Sequence, residues 1–336
     1  MYRGTRRLTA MLVALLLMLA ACSGSAEPSS DASAAGGGGG GDGQQSDLSF
    51  GVAVHDNPGE SGFWNVVQTG AQHAGEQLGV EVTVQGDADA SLQADMVRNY
   101  ISEGVDGIVV SLANPDALAA PIQEAVEAGI PVITINSGVD QYQELGAITH
   151  VGQTETIAGE GAGDRLNEEG LSKVLCIVHE EGNIGLEERC SGLESTFEGE
   201  VERFNVGSTG VSDVEGTKSA ILNKLADDDA VDGMLALNPD IAVAARDART
   251  ESGRDDVALA TFDLSPDVLT AIEEGEMLFA VDQQQYLQGY LPIQFLKLYN
   301  ENLNTVGGGQ PVLTGPGFVD ESNAAEVMEL VEAGTR

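Results

Sequence analysis

The feature that most constrains the fold is a regular alternation of short apolar strands with amphipathic helices from residue 48 onward. The predicted strands fall into two series, at 48–54, 80–86, 105–112, 130–136 and 147–153, and then at 173–179, 200–206, 231–237 and 257–263. Strand–helix alternation of this kind produces parallel sheets covered on both faces by helices. Two series therefore predict two doubly wound α/β lobes.

The helices between these strands are marked by apolar residues at helical spacing. The first, "WNVVQTGAQHAGEQLG", ends at Gly79 and places Val67, Gly70, Ala71 and Ala74 on one face. Further helices are predicted at 92–102, 116–128, 186–197, 214–226, 241–250 and 266–274, and a last one at 323–333.

The N-terminal segment has the pattern of an export signal, with Arg3, Arg6 and Arg7 before an apolar run at 11–21. The run is too short to span a bilayer. Leu19-Ala20-Ala21-Cys22 resembles the lipobox of bacterial lipoproteins, which predicts removal of residues 1–21 and lipidation of Cys22. An ordinary secretory signal that happens to end near a cysteine is the alternative, and both place the protein outside the cytoplasm.

Residues 22–47 contain almost no apolar surface and predict a disordered tether. The six glycines at 36–41 do not form a phosphate-binding loop, because no Gly-Lys-Ser/Thr follows and no strand precedes them. A lipid anchor with a flexible tether implies a folded body that works next to a membrane and contacts it only through that anchor.

Acidic residues dominate the composition, with 54 Asp and Glu against 15 Lys and Arg and a formal net charge of −39. Such a surface repels nucleic acid and anionic lipid. The acidic residues are spread along the chain, which favours a solvated surface over an acidic binding site.

Three cysteines are present, and lipidation of Cys22 would leave Cys176 and Cys190. Outside the cytoplasm such a pair usually forms a disulfide, and two buried free thiols are the alternative. The four histidines lie far apart without partners at ligand spacing, so the sequence predicts neither a metal site nor a cofactor.

Polar residues follow the predicted strands, where parallel sheets bind ligands. They are mostly amides, single carboxylates and one arginine beside the only tryptophan: His55, Phe63, Trp64, Asn114, Asn136, Ser137, Glu180, Glu181, Asn183, Arg189, Asn238, Asp263, Asp282, Gln283 and Gln284. Amides and carboxylates hydrogen-bond hydroxyl groups, while an aromatic face covers a C–H surface. This mixture predicts a ligand rich in hydroxyl groups.

The segments "GVAVHDNPGESGFWNVVQTGAQHAGEQLG", "VDGIVVSLANPDAL", "GIPVITIN", "VDGMLALNPDIAV" and "ATFDLSPDVLTAI" resemble the ribose-type periplasmic sugar-binding proteins. The resemblance extends from residue 49 to about residue 319, and "VDQQQYLQGYLPIQFLKLY" resembles the hinge and following helix of a sugar- and polyol-binding subgroup. It implies a type I periplasmic binding protein, with two Rossmann-like lobes joined by three crossovers near 152–154, 282–284 and 310–313. The lobes would comprise 48–152 with 284–312 and 153–283 with 313–336.

The resemblance also implies roles for individual residues, each with a structural alternative. Phe63 and Trp64 match stacking aromatics but could pack the first helix, and Arg189 matches a pocket arginine but could pair with Glu187 or Glu188. Asn238 and Asp263 match residues that grip hydroxyls, and Gln283 matches a hinge glutamine; Asp263 could instead cap a helix, although Ser265 is available for that. Asn136 and Ser137 stand where ribose binders carry aspartate and arginine, and Pro239 stands where an acidic residue is usual, so ribose itself is not indicated.

The sequence thus predicts a monomeric, non-catalytic lipoprotein that captures a neutral sugar or polyol between two closing lobes and delivers it to an ABC permease. A receptor of the same fold that presents a signalling molecule to a sensor kinase or chemoreceptor is the alternative. An enzyme would need a nucleophile with a base, a metal site, or two carboxylates that face each other across a cleft. Only Asp263 and Glu180 could form such a facing pair. The related repressors of this fold carry a helix-turn-helix, which is absent here.

Overall fold

The structure, a computed structural model, describes residues 46–207 and 213–336. The predicted signal, Cys22 and the predicted tether up to residue 45 lie outside the described residues. Within the described ranges no helix is both long and apolar enough to cross a bilayer.

The first lobe is built on a six-stranded parallel sheet. Its strands are β1 (Ser49–Val54), β2 (Glu81–Gly86), β3 (Gly107–Ser111), β4 (Val132–Asn136), β5 (Thr149–Gly152) and β11 (Val312–Leu313), in the order β11-β5-β4-β3-β1-β2. The helices that cover it are α1 (Gly62–Leu78), α2 (Ala90–Glu103), α3 (Pro115–Glu127) and α9 (Gln285–Asn302). A 3₁₀ turn at Gly307–Gly309 precedes the short edge strand β11.

The second lobe repeats this plan. Its strands are β6 (Lys173–Val178), β7 (Glu200–Asn205), β8 (Gly233–Ala236), β9 (Ala258–Phe262), β10 (Phe279–Asp282) and β12 (Gly317–Asp320), in the order β12-β10-β9-β8-β6-β7. The covering helices are α4 (Glu155–Glu168), α5 (Ile184–Thr196), α6 (Val214–Asp227), α7 (Pro239–Ser252), α8 (Pro266–Glu273) and α10 (Ala324–Glu332). All pairings are parallel except that of β12 with β10. The predicted pair of doubly wound α/β lobes is confirmed.

The chain crosses between the two sheets three times. It leaves the first sheet after Gly152 and enters α4, returns after Asp282 into α9, and passes from Leu313 in the first sheet to Gly317 in the second. These three crossovers place the two sheets so that the carboxyl ends of their strands face each other across a cleft.

Helix α4 is the one helix of the described residues that the sequence analysis missed, and strands β10, β11 and β12 were not predicted either. Its sequence "ETIAGEGAGDRLNE" carries three glycines, which lower helix propensity by about 1 kcal/mol each relative to alanine. The structure explains two of them: a Cβ on Gly159 would overlap the carbonyl group of Arg189, and a Cβ on Gly163 would overlap Thr196 Oγ1, both on α5. Gly192 on α5 is equally close to the backbone of α4, so the two helices pack backbone against backbone.

The first lobe contains the corresponding arrangement. Gly70 of α1 and Gly289 of α9 each leave no room for a Cβ, because the backbone of the opposite helix occupies that space. In both lobes, therefore, the helix that follows the lobe's first strand packs closely against a helix that begins at a crossover. This packing fixes α1 and α5, and both carry residues of the site described below.

Candidate functional site

The carboxyl ends of the central strands enclose a cavity of about 240 Å³ between the two lobes. This is at the small end of ligand sites, which are typically about 300–1,000 Å³. Its lining is His55, Asp56, Ser61, Phe63, Trp64, Ala88, Ala90, Asn114, Asn136, Ser137, His179, Glu180, Glu181, Asn183, Gly185, Leu186, Arg189, Leu237, Asn238, Asp263 and Gln283. The space suits one compact ring rather than an oligomer.

The sequence predicts ligand contact most directly for ten of the strand-end residues: His55, Phe63, Trp64, Asn114, Asn136, Arg189, Asn238, Asp263, Asp282 and Gln283. Nine of them lie in this lining. The exception is Asp282, which is fully buried at the crossover. Its carboxylate accepts hydrogen bonds from the backbone N–H of Gln284 (2.8 Å) and from Nε of Arg336 (2.8 Å). Asp282 thus stabilises the crossover instead of facing the cavity, because its side chain points towards the C-terminal segment.

A chain of hydrogen bonds links the lobes at the base of the cavity. Asn136 Nδ2 donates to Gln283 Oε1 at 3.1 Å, and Gln283 Nε2 donates to Asp263 Oδ1 at 2.8 Å. Asn136 ends β4 of the first sheet, Asp263 follows β9 of the second, and Gln283 follows β10 at a crossover. The three residues form one polar floor contributed by both lobes and the hinge.

Asn136 and Asp263 share an unusual backbone conformation. Their φ angles are 64° and 67°, in the left-handed region that costs a non-glycine residue roughly 1 kcal/mol or more. The two residues occupy equivalent positions, at the ends of the corresponding strands of the two sheets. Such strain is concentrated at functional sites, where it turns a side chain towards a ligand.

Asp263 is 3% exposed, and burial raises the pKa of its carboxyl to about 7. The nearby Arg189 guanidinium and the hydrogen bond from Gln283 oppose this shift. A capping role is not needed, because Ser265 Oγ accepts the backbone N–H of Val268 at 3.2 Å and caps α8. The remaining acceptor capacity of Asp263 faces the cavity.

Arg189 is 4% exposed and points inward from α5. Its guanidinium pairs with Glu155, through Nε to Oε2 at 2.7 Å and Nη2 to Oε1 at 3.0 Å, and lies 4.4 Å from the ring centroid of Phe262. The alternative of a surface pair with Glu187 or Glu188 is wrong, because Arg189 is buried and pairs with Glu155, and Glu187 pairs with Arg203. Glu155 was not foreseen, because the sequence pattern did not predict α4.

Trp64, Phe63 and His55 form an aromatic wall. Trp64 lies edge-on to His55 and to Phe63, with centroid distances of 4.6 and 4.8 Å. Phe63 and Trp64 also belong to the apolar core of the first lobe. The rings therefore pack the first helix and also border the cavity, while their contact with a ligand stays a prediction.

Asn238 and Asn114 precede helices that begin with proline. Asn238 Oδ1 accepts the backbone N–H of Asp240 at 2.8 Å and caps α7, while Pro239 has no N–H to satisfy. Its amide nitrogen has no partner among the described residues. Asn114 makes no side-chain cap at α3, so its amide is available to a ligand.

The sequence analysis placed Glu180, Glu181 and Asn183 among the polar residues at strand ends, but it did not single out His179. All four line the cavity. His179 follows β6 as His55 follows β1, and burial lowers the pKa of both imidazoles, to about 3 for His179. The signal that could have found His179 is this equivalence of strand ends in the two series.

The lobes touch across the mouth of the cavity. The backbone N–H of Ile184 donates to the carbonyl of Ala113 at 3.1 Å, and Asn183 Nδ2 lies 3.5 Å from His55 Nε2. Glu180 Oε2 lies 4.0 Å from the same imidazole nitrogen. These contacts join loops of opposite lobes, so the structure has its cleft closed.

A disulfide joins Cys176 of β6 to Cys190 of α5, with an S–S distance of 2.00 Å. It ties the helix that carries Arg189 to the central strand beneath it. Among the described residues no group of three or more His, Cys, Asp and Glu side chains could hold a metal ion.

Comparison with known proteins agrees with this architecture. Residues 50–302 match the periplasmic binding protein domain family. A carbohydrate transporter from Acidothermus cellulolyticus 11B, solved in complex with myo-inositol, is 38% identical, with a TM-score of 0.83 over 87% of this chain and 100% of that chain.

Two sequence relatives are more distant. A xylose/arabinose-binding protein of Sulfolobus acidocaldarius is 28% identical over 70% of this chain, and the match spans 62% of that protein, under two thirds of its length. A ribose import binding protein of Bacillus subtilis is 24% identical over 74% of this chain and 80% of its own length.

Proposed function

The chain belongs to the periplasmic binding protein family, and from this premise we propose that it is the extracytoplasmic solute-binding component of an ABC importer for a neutral cyclic polyol or sugar. The observation that carries the proposal is the cavity itself. A continuous polar floor of Asn136, Gln283 and Asp263, with Arg189 beside it, is covered by the aromatic wall of Trp64 and Phe63. In-plane donors and acceptors with an aromatic cover suit a ring of hydroxyl groups.

Inositols are the ligand class that we favour. The 38% identical protein from Acidothermus cellulolyticus was solved with myo-inositol, and the cavity of about 240 Å³ accommodates one six-membered ring. The relatives named for pentoses are less similar. Myo-inositol, other inositols and monosaccharides form the panel from which the ligand should come.

The mechanism is closure of the two lobes on the ligand. Contacts made by both lobes stabilise the closed form, and the ligand shifts the population towards it in proportion to its differential affinity. The hydrogen bond between Ile184 and Ala113 and the approach of Asn183 to His55 would then form on closure. Binding and release require no covalent chemistry, in keeping with a family of solute-binding transport proteins.

The test is isothermal titration calorimetry with myo-inositol, scyllo-inositol, D-ribose, D-xylose and D-glucose, together with small-angle scattering. We expect one inositol to bind well below millimolar concentration and to reduce the radius of gyration. Asp263→Asn should weaken binding at least 10-fold, because hydrogen bonds to a charged group contribute about 1.5–3 kcal/mol. Asp255→Asn, which changes an exposed aspartate remote from the cavity, is the matched control. A protein that binds no polyol or sugar would contradict the proposal.

Attachment to the membrane through Cys22 is the second part of the proposal. Two acyl chains on a cysteine give stable anchoring, whereas one chain gives marginal binding. Cys22→Ala should release the mature protein from the membrane fraction without altering its ligand affinity. Retention of the variant at the membrane would refute the lipid anchor while leaving solute binding unaffected.

A further inference from the structure

Of the residues that the structure describes, Arg189 is the one lysine or arginine in the cavity lining. A guanidinium is the side chain best suited to bind a carboxylate or phosphate bidentately. Left free, Arg189 would therefore make the cavity attractive to sugar acids and sugar phosphates. Whether the cavity binds a neutral or an anionic ligand therefore depends on which groups accept the hydrogen bonds of the Arg189 guanidinium.

Glu155 occupies the Nε–Nη2 edge of Arg189, one of the two edges with which a guanidinium binds an anion bidentately. It accepts from Nε and Nη2 at 2.7 and 3.0 Å, while Nη1 donates to the carbonyl of Leu237 at 3.2 Å. These bonds use three of the five N–H groups of the guanidinium. One N–H on each of Nη1 and Nη2 remains for a ligand, and Asp263 Oδ2 lies 3.9 Å from Nη1. The guanidinium therefore offers hydrogen-bond donation with its charge compensated.

Glu155 is itself held in place from two directions. It is fully buried, and its Oε2 also accepts from Gln153 Nε2 at 2.8 Å. It is the first residue of α4, where the helix dipole attracts negative charge. Glu155 does not line the cavity, so it acts on a ligand only through Arg189.

The remaining charges of the cavity reinforce this arrangement. Asp56, Glu180, Glu181 and Asp263 also line it, and no further cation from Lys or Arg does. With Arg189 neutralised by Glu155, an anionic ligand would meet only carboxylates and neutral groups. An uncharged ring meets donors and acceptors alone.

We propose that Glu155 is a positioning and specificity-determining residue that fixes the Arg189 guanidinium and cancels its charge, so that the site accepts uncharged polyols and rejects sugar acids. This inference rests on the proposed function and names the residue outside the cavity that sets its charge selectivity.

The experiment compares myo-inositol with D-glucuronate as probes for the wild-type protein, Glu155→Gln and Glu155→Asp. Calorimetry gives both affinities at pH 7.5, in low and moderate salt. The measured quantity is the ratio of glucuronate to inositol affinity, because loss of structure would lower both affinities and leave this ratio unchanged.

In the wild-type protein we expect glucuronate to bind at least 100-fold more weakly than inositol. Glu155→Gln should raise the ratio at least 10-fold, with glucuronate binding that weakens as salt increases. Glu155→Asp, which keeps the charge, should retain the wild-type ratio. A Glu155→Gln variant that is folded by circular dichroism and loses both ligands in parallel would overturn the inference.

Removing one partner of a buried ion pair is strongly destabilising, so the design includes the case in which Glu155→Gln does not fold. In that case the test is the ratio of glucuronate to inositol affinity in the wild-type protein. Wild-type protein that binds glucuronate as tightly as inositol overturns the inference by itself. Wild-type protein that binds no neutral ring refutes the proposed function. In that case a gain of glucuronate binding in Glu155→Gln would still support the role of Glu155, and its absence would refute it.

Discussion

Replacing Gly159 by alanine tests whether the contact between α4 and α5 determines the geometry of the site. A Cβ at this position would lie 2.9 Å from the carbonyl carbon of Arg189 and 3.0 Å from the Cα of Gly192. Non-bonded carbons prefer about 3.5–4.0 Å, so the helices must separate by at least about 0.5 Å. The obstructing atoms are backbone, and no change of rotamer can relieve the overlap.

Helix propensity and packing predict opposite signs for this substitution. Propensity alone would stabilise the helix by about 1 kcal/mol. Overpacking costs about 1–3 kcal/mol, and a backbone contact belongs at the upper end of that range. We therefore expect net destabilisation of about 2 kcal/mol, which corresponds to a thermal midpoint lowered by roughly 4 °C.

Differential scanning calorimetry of the purified variants measures this change. Gly62→Ala is the matched control, because Gly62 is the first residue of α1 and a Cβ there meets no heavy atom within 4 Å. The control should melt at or slightly above the wild-type temperature. The affinity for the ligand should fall in Gly159→Ala alone, since Arg189 moves with α5. If Gly159→Ala melts as high as Gly62→Ala, the close packing of α4 against α5 is wrong.

Three further outcomes are expected. Gly185→Val should weaken ligand binding and prevent compaction in small-angle scattering, because a Cβ there would lie 2.6 Å from Ser137 Oγ of the other lobe and would keep the lobes apart. The melting temperature without ligand should be unchanged. Normal compaction of the variant would contradict this. Trp64 is the only tryptophan, so ligand binding seen by calorimetry should change the intrinsic fluorescence, and an unaltered spectrum would place the ligand elsewhere. Burial lowers the pKa of His150 to about 3, below its unfolded value of 6.5. Below pH 6.5 the unfolded chain therefore binds a proton that the folded chain does not, and the free energy of unfolding falls by about 2 kcal/mol between pH 7.5 and pH 5. His150→Asn, which can still hydrogen-bond Thr134, should lose less of its melting temperature between pH 7.5 and pH 5, and an identical loss would refute this role.

The fold was predictable because its signals are local and repeated. Each buried strand is a short β-branched run, and each surface helix shows apolar residues at helical spacing, so the two series and most helix positions follow from periodicity. Helix α4 escaped because its glycines serve a neighbouring helix, and only the packed structure reveals that need. Strands β11 and β12 are short, and their pairing depends on where the chain crosses between the sheets.

The site was predictable to the extent that it lies at strand ends. The positions of Asn136, Asp263 and Trp64 follow from the rule that parallel sheets bind ligands at their carboxyl edges. Asp282 obeys the same rule and still faces away, because Arg336, distant in sequence, claims its carboxylate.

By itself the sequence determined the class of fold, the chemical character of the lining and the expected export of the chain, since these depend on composition, periodicity and local order. The tertiary structure alone decided which side chains meet: Glu155 with Arg189, Gln283 between Asn136 and Asp263, and Ile184 with Ala113. The physical reason is that these contacts join residues from different lobes or different helices. Their partners are chosen by packing in three dimensions, and no local pattern in the chain encodes that choice.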